Sequence, residues 1–398
     1  GENSTCQRPT RRACRSEHNF VAASALSMGA NVKDLIECYD PNRPLAAAST
    51  PPSSWYTDPS IRELEQRTVF SRAWHYVGRT EQVRDPGQYI CCEIADEPIL
   101  VVKGNDNVPR GFFNVCRHHA AAVMTKPEGK EENLRCPYHG WTYDLTGALI
   151  HTPEFGGVAN FDRNANGLAP VQVAEWEGWL FVKLEAGGPT LKDYLGKDLL
   201  KQFEPLKLKR LNWFERRHYT LNCNWKVFVD NYLDGGYHVP HIHSGLSSVL
   251  DNSKYKIETG TRFCLQSSPI ASDKGEAQTA AVRQGTRANY FWIYPNFMIN
   301  IYAGVIDTNL VIPRGVDRTE VIFDYYFVDL SDREKEKNLA SIALSEQIQA
   351  EDAAICESVQ RGLASRSYSA GRLSVRREAG EHLFHKLLYA DLKAGPNG

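Results

Sequence analysis

Two short segments constrain this chain more than any others: Cys116-Arg-His118 and, seventeen residues further on, Cys136-Pro-Tyr-His139-Gly140-Trp141. Each supplies one thiolate and one imidazole, so together they offer four metal-binding side chains in two matched pairs. Four such ligands serve a metal only if the fold brings two loops face to face and holds them there. Tetrahedral zinc accepts two Cys and two His. So does a two-iron cluster in which thiolates hold one iron and imidazoles the other.

The surroundings favour the 2Fe-2S cluster. From Trp74 to Glu185 short apolar runs alternate with turn signals: Pro86-Gly87, Gly104-Asn-Asp-Asn107, and Asp144-Leu-Thr-Gly147 set between Trp141-Thr-Tyr143 and Ala148-Leu-Ile150. This pattern predicts a small antiparallel β domain with both Cys/His pairs on its turns. Neutral imidazoles in place of two thiolates leave the cluster less negative and raise its potential, so that it can accept electrons from an all-Cys ferredoxin. His119 adjoins His118, and neighbouring side chains in an extended loop point opposite ways, so His119 is read as non-ligating.

After Gly187-Gly188-Pro189 the pattern changes to helical stretches separated by strands, among them Tyr290-Phe-Trp-Ile-Tyr294, Leu310-Val-Ile312 and Val321-Ile-Phe-Asp-Tyr-Tyr-Phe-Val328. A second constellation opens this region: Asn231-Tyr-Leu-Asp234-Gly-Gly-Tyr237-His238-Val-Pro-His241-Ile-His243, with three His in thirteen residues. Non-haem Fe(II) sites use two His and one carboxylate on one face, leaving positions open for dioxygen. Residues 221–237 read as a helix that Pro240 should end, which places His243 on the turn beyond. His241 shares a helix face with His238 and competes for the ligand role.

The third ligand must come from afar. Residues Asp332 to about Leu363 read as a long helix, with Leu344, Ile348, Ile355 and Val359 as its apolar stripe. Asp352 and Glu351 flank that stripe and Glu357 lies opposite, so periodicity leaves the first two as candidates. A bound cation would offset the cost of facing such a carboxylate inward, and an ion pair with Arg or Lys is the bland alternative.

Composition bounds the rest. A net charge of -2 argues against a nucleic-acid partner or an anionic membrane surface. No apolar run is long enough to span a membrane. Ten scattered cysteines lack the dense spacing of a secreted disulfide scaffold, which points to a reducing compartment. Residues 1–54 begin rich in Arg and Ser and end in Ala46-Ala-Ala-Ser-Thr-Pro-Pro-Ser-Ser54, and they are read as a tail and linker that could be a transit-peptide remnant. The expected organisation is that tail, a cluster domain over 55–187 with some flanking helix, and an iron domain over 188–398.

Taken together, C-P-Y-H-G-W, N-Y-x-D-x-x-Y-H-x-x-x-x-H and E-D-x-x-x-C-E-x-V-Q-R-G-L resemble the α subunits of Rieske non-haem iron oxygenases, from about Trp55 to the C-terminus. The Asp234-Gly-Gly-Tyr-His238 stretch is similar to that of the plant choline monooxygenases, the chloroplast enzymes that begin glycine betaine synthesis. The resemblance implies an α+β fold: an antiparallel β Rieske domain and a helix-grip-like catalytic domain, with a curved antiparallel sheet and a long C-terminal helix. It implies Cys116, His118, Cys136 and His139 as Rieske cluster ligands, and His238, His243 and Asp352 as mononuclear iron ligands. It implies electrons from reduced ferredoxin, dioxygen as oxidant, choline or a similar quaternary amine as substrate, and a stromal location. It further implies a head-to-tail homotrimer in which Asp234 joins a cluster His of one subunit to an iron His of the next. Most family members place the acidic residue three before the first iron His. Here Asp234 is four before His238 and Gly235 takes the usual place. Either the helix absorbs the surplus as a π-bulge, eased by Gly235-Gly236, or the electron path differs.

A trimethylammonium group has charge but no N–H donor, so a site for it should offer aromatic faces. Tyr290, Trp292 and Tyr294 alternate onto one strand face, with Tyr302 nearby, and these form a candidate cage. Such aromatics are also ordinary sheet residues. The competing functions are a Rieske oxygenase for another substrate and a pure Rieske electron carrier, which would leave the second constellation without a role.

Overall fold

The computed structural model describes residues 31–271 and 276–395. The Arg/Ser-rich lead read as a possible transit remnant lies, as far as residue 30, outside the described residues.

The turn signals of the first half close hairpins, and their strands assemble into a seven-stranded antiparallel sheet. Its order is His75–Arg79, Trp179–Lys183, Pro170–Trp176, Pro109–Phe113, Glu97–Lys103, Gln88–Ile94 and Glu128–Lys130. A three-stranded sheet of Leu134–Arg135, Thr142–Tyr143 and Leu149–His151 stands beside it. The Asp144–Gly147 turn forms as expected: the Asp144 side chain accepts from the backbone N–H groups of Thr146 and Ala148, and Gly147 adopts φ +86°. Short side chains at turns that hydrogen-bond their own backbone make this geometry readable from sequence.

The second half folds into another seven-stranded antiparallel sheet, ordered Asn212–Leu221, Thr319–Phe327, Val305–Pro313, Phe297–Tyr302, Arg287–Ile293, Phe263–Pro269 and Lys256–Thr259. Helices Trp225–Leu233, Asp332–Leu363 and Ala379–Ala394 pack against it. The two sheets meet where Tyr76 stacks on Phe297 at 4.8 Å and donates its hydroxyl to Asp324.

Three sequence expectations need correction. The first is the start of the folded chain, expected near Trp55. Helix Val32–Glu37 is capped by Asn31 and buries Leu35 and Ile36, and Trp55 Nε1 donates to the Leu35 carbonyl at 2.9 Å. The linker-like stretch is held by backbone hydrogen bonds from Thr50 to Gly371 and from Ser53 to Ser369. Such pairing needs no apolar side chain, so composition does not reveal it.

The second is the allegiance of residues 55–70, which were grouped with the cluster domain. They pack on helix Trp225–Leu233: Phe70 meets the Trp225 ring at 5.1 Å, and Glu65 takes hydrogen bonds from Trp225 Nε1 at 2.9 Å and Lys226 Nζ at 2.6 Å. Glu65 and Lys226 are both fully buried. Glu65→Ala therefore strands a buried ammonium and an indole N–H, and should lower folding stability by about 3–5 kcal/mol in urea denaturation. A loss below about 1 kcal/mol would mean that water reaches Lys226 once Glu65 is gone.

The third is the face of the long helix. It spans Asp332–Leu363 as expected, but Ile355 and Val359 are exposed, and the inward side carries Ser341, Ile342, Ser345, Gln349, Cys356, Gln360 and Leu363. The inward face is polar because this helix roofs a cavity. Glu357, placed opposite the stripe, instead accepts from Asn222 N and Nδ2 at 2.9 and 3.0 Å.

Candidate metal centres and substrate cavity

The two Cys/His loops are the same turn built twice. Ala120 N donates to the Cys116 carbonyl at 3.0 Å and Gly140 N to the Cys136 carbonyl at 3.1 Å. Cys116 N and Cys136 N reach the carbonyls of Ala121 and Trp141, each at 2.8 Å. Ala120 (φ +59°) and Gly140 (φ +72°) take the left-handed position that each turn requires. Both thiols are buried, His118 is half-buried and His139 is exposed, with the two rings 4.7 Å apart. His118 stacks on Trp141 at 4.6 Å, and its buried Nδ1 has no hydrogen-bond partner among the described residues. Tyr143 Oη lies 3.4 Å from Cys116 Sγ and accepts from Arg117 N. Thiols inside, imidazoles outside and an orphaned ring nitrogen fit a Rieske cluster. His119 is exposed with its ring only 4.1 Å from that of His118, so alternation did not keep the two apart: the segment is a turn, not a strand.

The iron constellation begins at Asn224, whose side chain accepts from Lys226 N and starts helix Trp225–Leu233. Gly235 (φ +70°) and Gly236 (φ +65°) end it, and a Cβ at Gly235 would collide with the Arg377 carbonyl. The helix thus stops before Pro240, which instead opens the short helix Val239–Ile242. Neither a π-bulge nor a continuous helix carries the surplus residue. Asp234 is the helix C-cap, and its Oδ2 lies 2.6 Å from His238 Nδ1 and accepts from His238 N at 2.9 Å.

His243 and Asp352 complete the group, and the ligand atoms of His238, His243 and Asp352 lie within 4.8 Å of one another. Asp352 Oδ1 is 3.1 Å from His243 Nε2 and 3.6 Å from His238 Nε2, and Asn231 Nδ2 donates to it at 2.8 Å. Glu351 turns to the far side of the ring and meets His243 Nδ1 at 2.6 Å. Each imidazole thus points Nε2 at Asp352 and rests Nδ1 on another carboxylate, the arrangement that orients metal-bound His elsewhere. Burial works to lower the His243 pKa, but hydrogen bonds and charge from Asp352 and Glu351 outweigh it and raise the value, so the site favours a cation. The donor set fits a two-His, one-carboxylate iron. His241 is exposed and turned towards Tyr237.

Beside the triad lies a cavity of about 110 Å³. Its floor is a row of directly opposed residues on adjacent strands: Gln266 faces Tyr290, Tyr290 faces Asn300, and Asn300 faces Asp307. Its walls include Phe228, Tyr232, Tyr255, Tyr302 and Phe323, and its roof Ser345, Ile348 and Gln349. Of the four proposed cage aromatics, Tyr290 and Tyr302 line it, with their hydroxyls 2.9 Å apart. Trp292 and Tyr294 do not. Trp292 packs on Phe384 of the C-terminal helix, and Tyr294 donates to Asp391 at 2.6 Å. Alternation identified the face, but only one end of it is hollow. Asn231 and the floor residues Asn300 and Asp307 escaped the sequence reading. For Asn300 and Asp307 the signal was a polar side chain at an inward position of a strand otherwise largely apolar.

Comparison with known proteins agrees with this geometry. Residues 73–162 match the Rieske [2Fe-2S] domain, and residues 208–393 match the Ring hydroxylating alpha subunit (catalytic domain). The chain is 38% identical over 390 residues to a choline monooxygenase, chloroplastic, of Arabidopsis thaliana, covering 95% of this chain and 90% of that protein. It is 32% identical over 330 residues to the carnitine monooxygenase oxygenase subunit of Escherichia coli K12, covering 81% and 86%. A crystal structure of a quaternary ammonium Rieske monooxygenase with L-carnitine superimposes with a TM-score of 0.75 at 27% identity, over 87% of this chain and 96% of that one. The chain belongs to the Rieske non-haem iron oxygenase α subunits, close to the choline and carnitine monooxygenases. It is an oxygenase whose cofactors are a Rieske 2Fe-2S cluster and a mononuclear iron.

Proposed function

We propose that this enzyme hydroxylates choline at its alcohol-bearing carbon, giving the hydrate of betaine aldehyde, with electrons from reduced ferredoxin. One C–H bond becomes C–OH, the second oxygen atom leaves as water, and two electrons and two protons are consumed. The observation that carries this reading is the cavity beside His238, His243 and Asp352, walled by Phe228, Tyr232, Tyr255, Tyr290, Tyr302 and Phe323. Burial keeps the phenols of Tyr232, Tyr255 and Tyr290 neutral by raising their pKa values well above 10. Neutral aromatic faces suit a cation without N–H donors.

Cys116, His118, Cys136 and His139 would hold the cluster, and His238, His243 and Asp352 the iron. When bound, these centres supply electron delivery and dioxygen activation. Asn231 anchors Asp352, while Glu351 and Asp234 fix the two imidazoles. In a head-to-tail trimer Asp234 would link the centres of neighbouring subunits. The plant relatives bear the description chloroplastic, and we place this enzyme in the stroma. Among the described residues no helix is long and apolar enough to cross a membrane.

Arg283, also on the cavity wall, favours a second reading in which the substrate is a quaternary amine that carries a carboxylate, such as carnitine. Product analysis by mass spectrometry decides between them, using iron-loaded enzyme, reduced ferredoxin, dioxygen and a panel of choline, carnitine, glycine betaine and an aromatic acid. The expected product is betaine aldehyde from choline, formed only with oxygen. Turnover of carnitine but not choline would transfer the assignment to the second reading.

A further inference from the structure

We infer that Asp307 is the counter-charge that selects a quaternary ammonium group in the cavity, an inference that rests on the assignment of this cavity to such a substrate. Among the described residues lining the cavity, Asp307 is the one carboxylate outside the iron triad. It sits on the floor and is only 3% exposed. Asn300 and Asn309 both donate to its Oδ2, at 2.7 and 3.2 Å, which fixes the plane of the carboxylate. Among the described residues no hydrogen bond reaches Oδ1, and no Lys, Arg or His forms an ion pair with Asp307.

Arg283, the one Lys or Arg on the cavity wall, is engaged elsewhere: it donates to Ser341 and Ser345 at 2.6 and 2.7 Å and lies over the Tyr302 ring at 4.5 Å. Its charge reaches Asp307 only from a distance and opposes the rise in pKa that burial imposes. A desolvated carboxylate without a cation is unfavourable, and a bound cation removes the penalty. Amides fix one oxygen while neutral rings surround the site. That environment attracts a diffuse positive charge and offers it no competing acceptor in the form of a phenolate. It therefore distinguishes a trimethylammonium group from a neutral group of the same shape more strongly than the cation–π attraction of the aromatic walls does alone.

The test uses holoenzyme and its Asp307→Asn variant, which keeps the side chain's size. Two substrates are compared: choline and neohexyl alcohol, its neutral isostere with carbon in place of nitrogen. In parallel, binding of tetramethylammonium is measured by calorimetry. Wild type should favour choline, and the variant should lose that preference by at least about thirty-fold in kcat/KM ratio and bind tetramethylammonium correspondingly more weakly. Because the measure is a ratio, a general loss of active enzyme does not imitate it. A choline preference and cation affinity unchanged in the variant would overturn the inference while leaving choline as substrate. Cation binding that depends on Asp307 without any choline turnover would uphold the counter-charge and overturn choline as substrate.

Discussion

Asp234→Asn enzyme should assemble both metal centres at wild-type content yet reoxidise its reduced cluster about 10–100-fold more slowly in a single turnover with substrate and dioxygen. The carboxylate lies 2.6 Å from His238 Nδ1 and also accepts the backbone N–H of His238 at 2.9 Å. Asparagine keeps the shape and removes the charge. His238 therefore stays near its place while the charge-assisted link to its ring is lost, and with it the proposed connection between neighbouring subunits. Stopped-flow absorbance reads the rate and metal analysis reads the content. A wild-type rate in a fully loaded variant would show that electrons pass by a route that does not need Asp234, as its unusual spacing from His238 allows.

Removal of the third iron ligand should have an equally large and separable effect. Asp352→Ala enzyme is expected to lose its mononuclear iron and all turnover while retaining the visible spectrum of the cluster. The reason is spatial. Asp352 is the carboxylate on which both Nε2 atoms converge, whereas Cys116, His118, Cys136 and His139 sit on loops of a different sheet. Glu351 is poorly placed to substitute, because it holds the opposite edge of the His243 ring. Iron content near one mononuclear ion per chain in Asp352→Ala would assign the ligand role to Glu351 after all.

Much of the site could be read from the chain because its ligands come in local groups. Cys116 with His118, and Cys136 with His139, are each delivered by a single turn, and turn geometry follows from a few adjacent residues. His238 and His243 are likewise separated only by one short helix. The long helix was legible in its bounds but not in its orientation. Apolar periodicity locates an apolar face, and here the inward face holds Ser345, Gln349 and Asp352 because it closes a polar cavity. The helix ends before Pro240 for a related reason. The sequence marks Gly235 and Gly236 as points of easy unwinding, but whether a glycine pair ends a helix depends on what approaches it, and here the Arg377 carbonyl does.

Residue order alone was enough to find the local ligand groups, the two Cys/His turns and the His238/His243 pair, since ligand type and spacing within a loop are set by residues only a few positions apart. What surrounds those groups follows from the packing of distant segments. The choice of Asp352 over Glu351 in space, the two carboxylates behind the imidazoles, and the floor running from Gln266 to Asp307 all depend on strand register and helix docking across distant parts of the chain. Those relations arise from packing the whole domain, where the same side chain can face a core, a helix or a cavity. For that reason Trp292, and Tyr294 just past the end of its strand, became core while Tyr290 became part of the cavity.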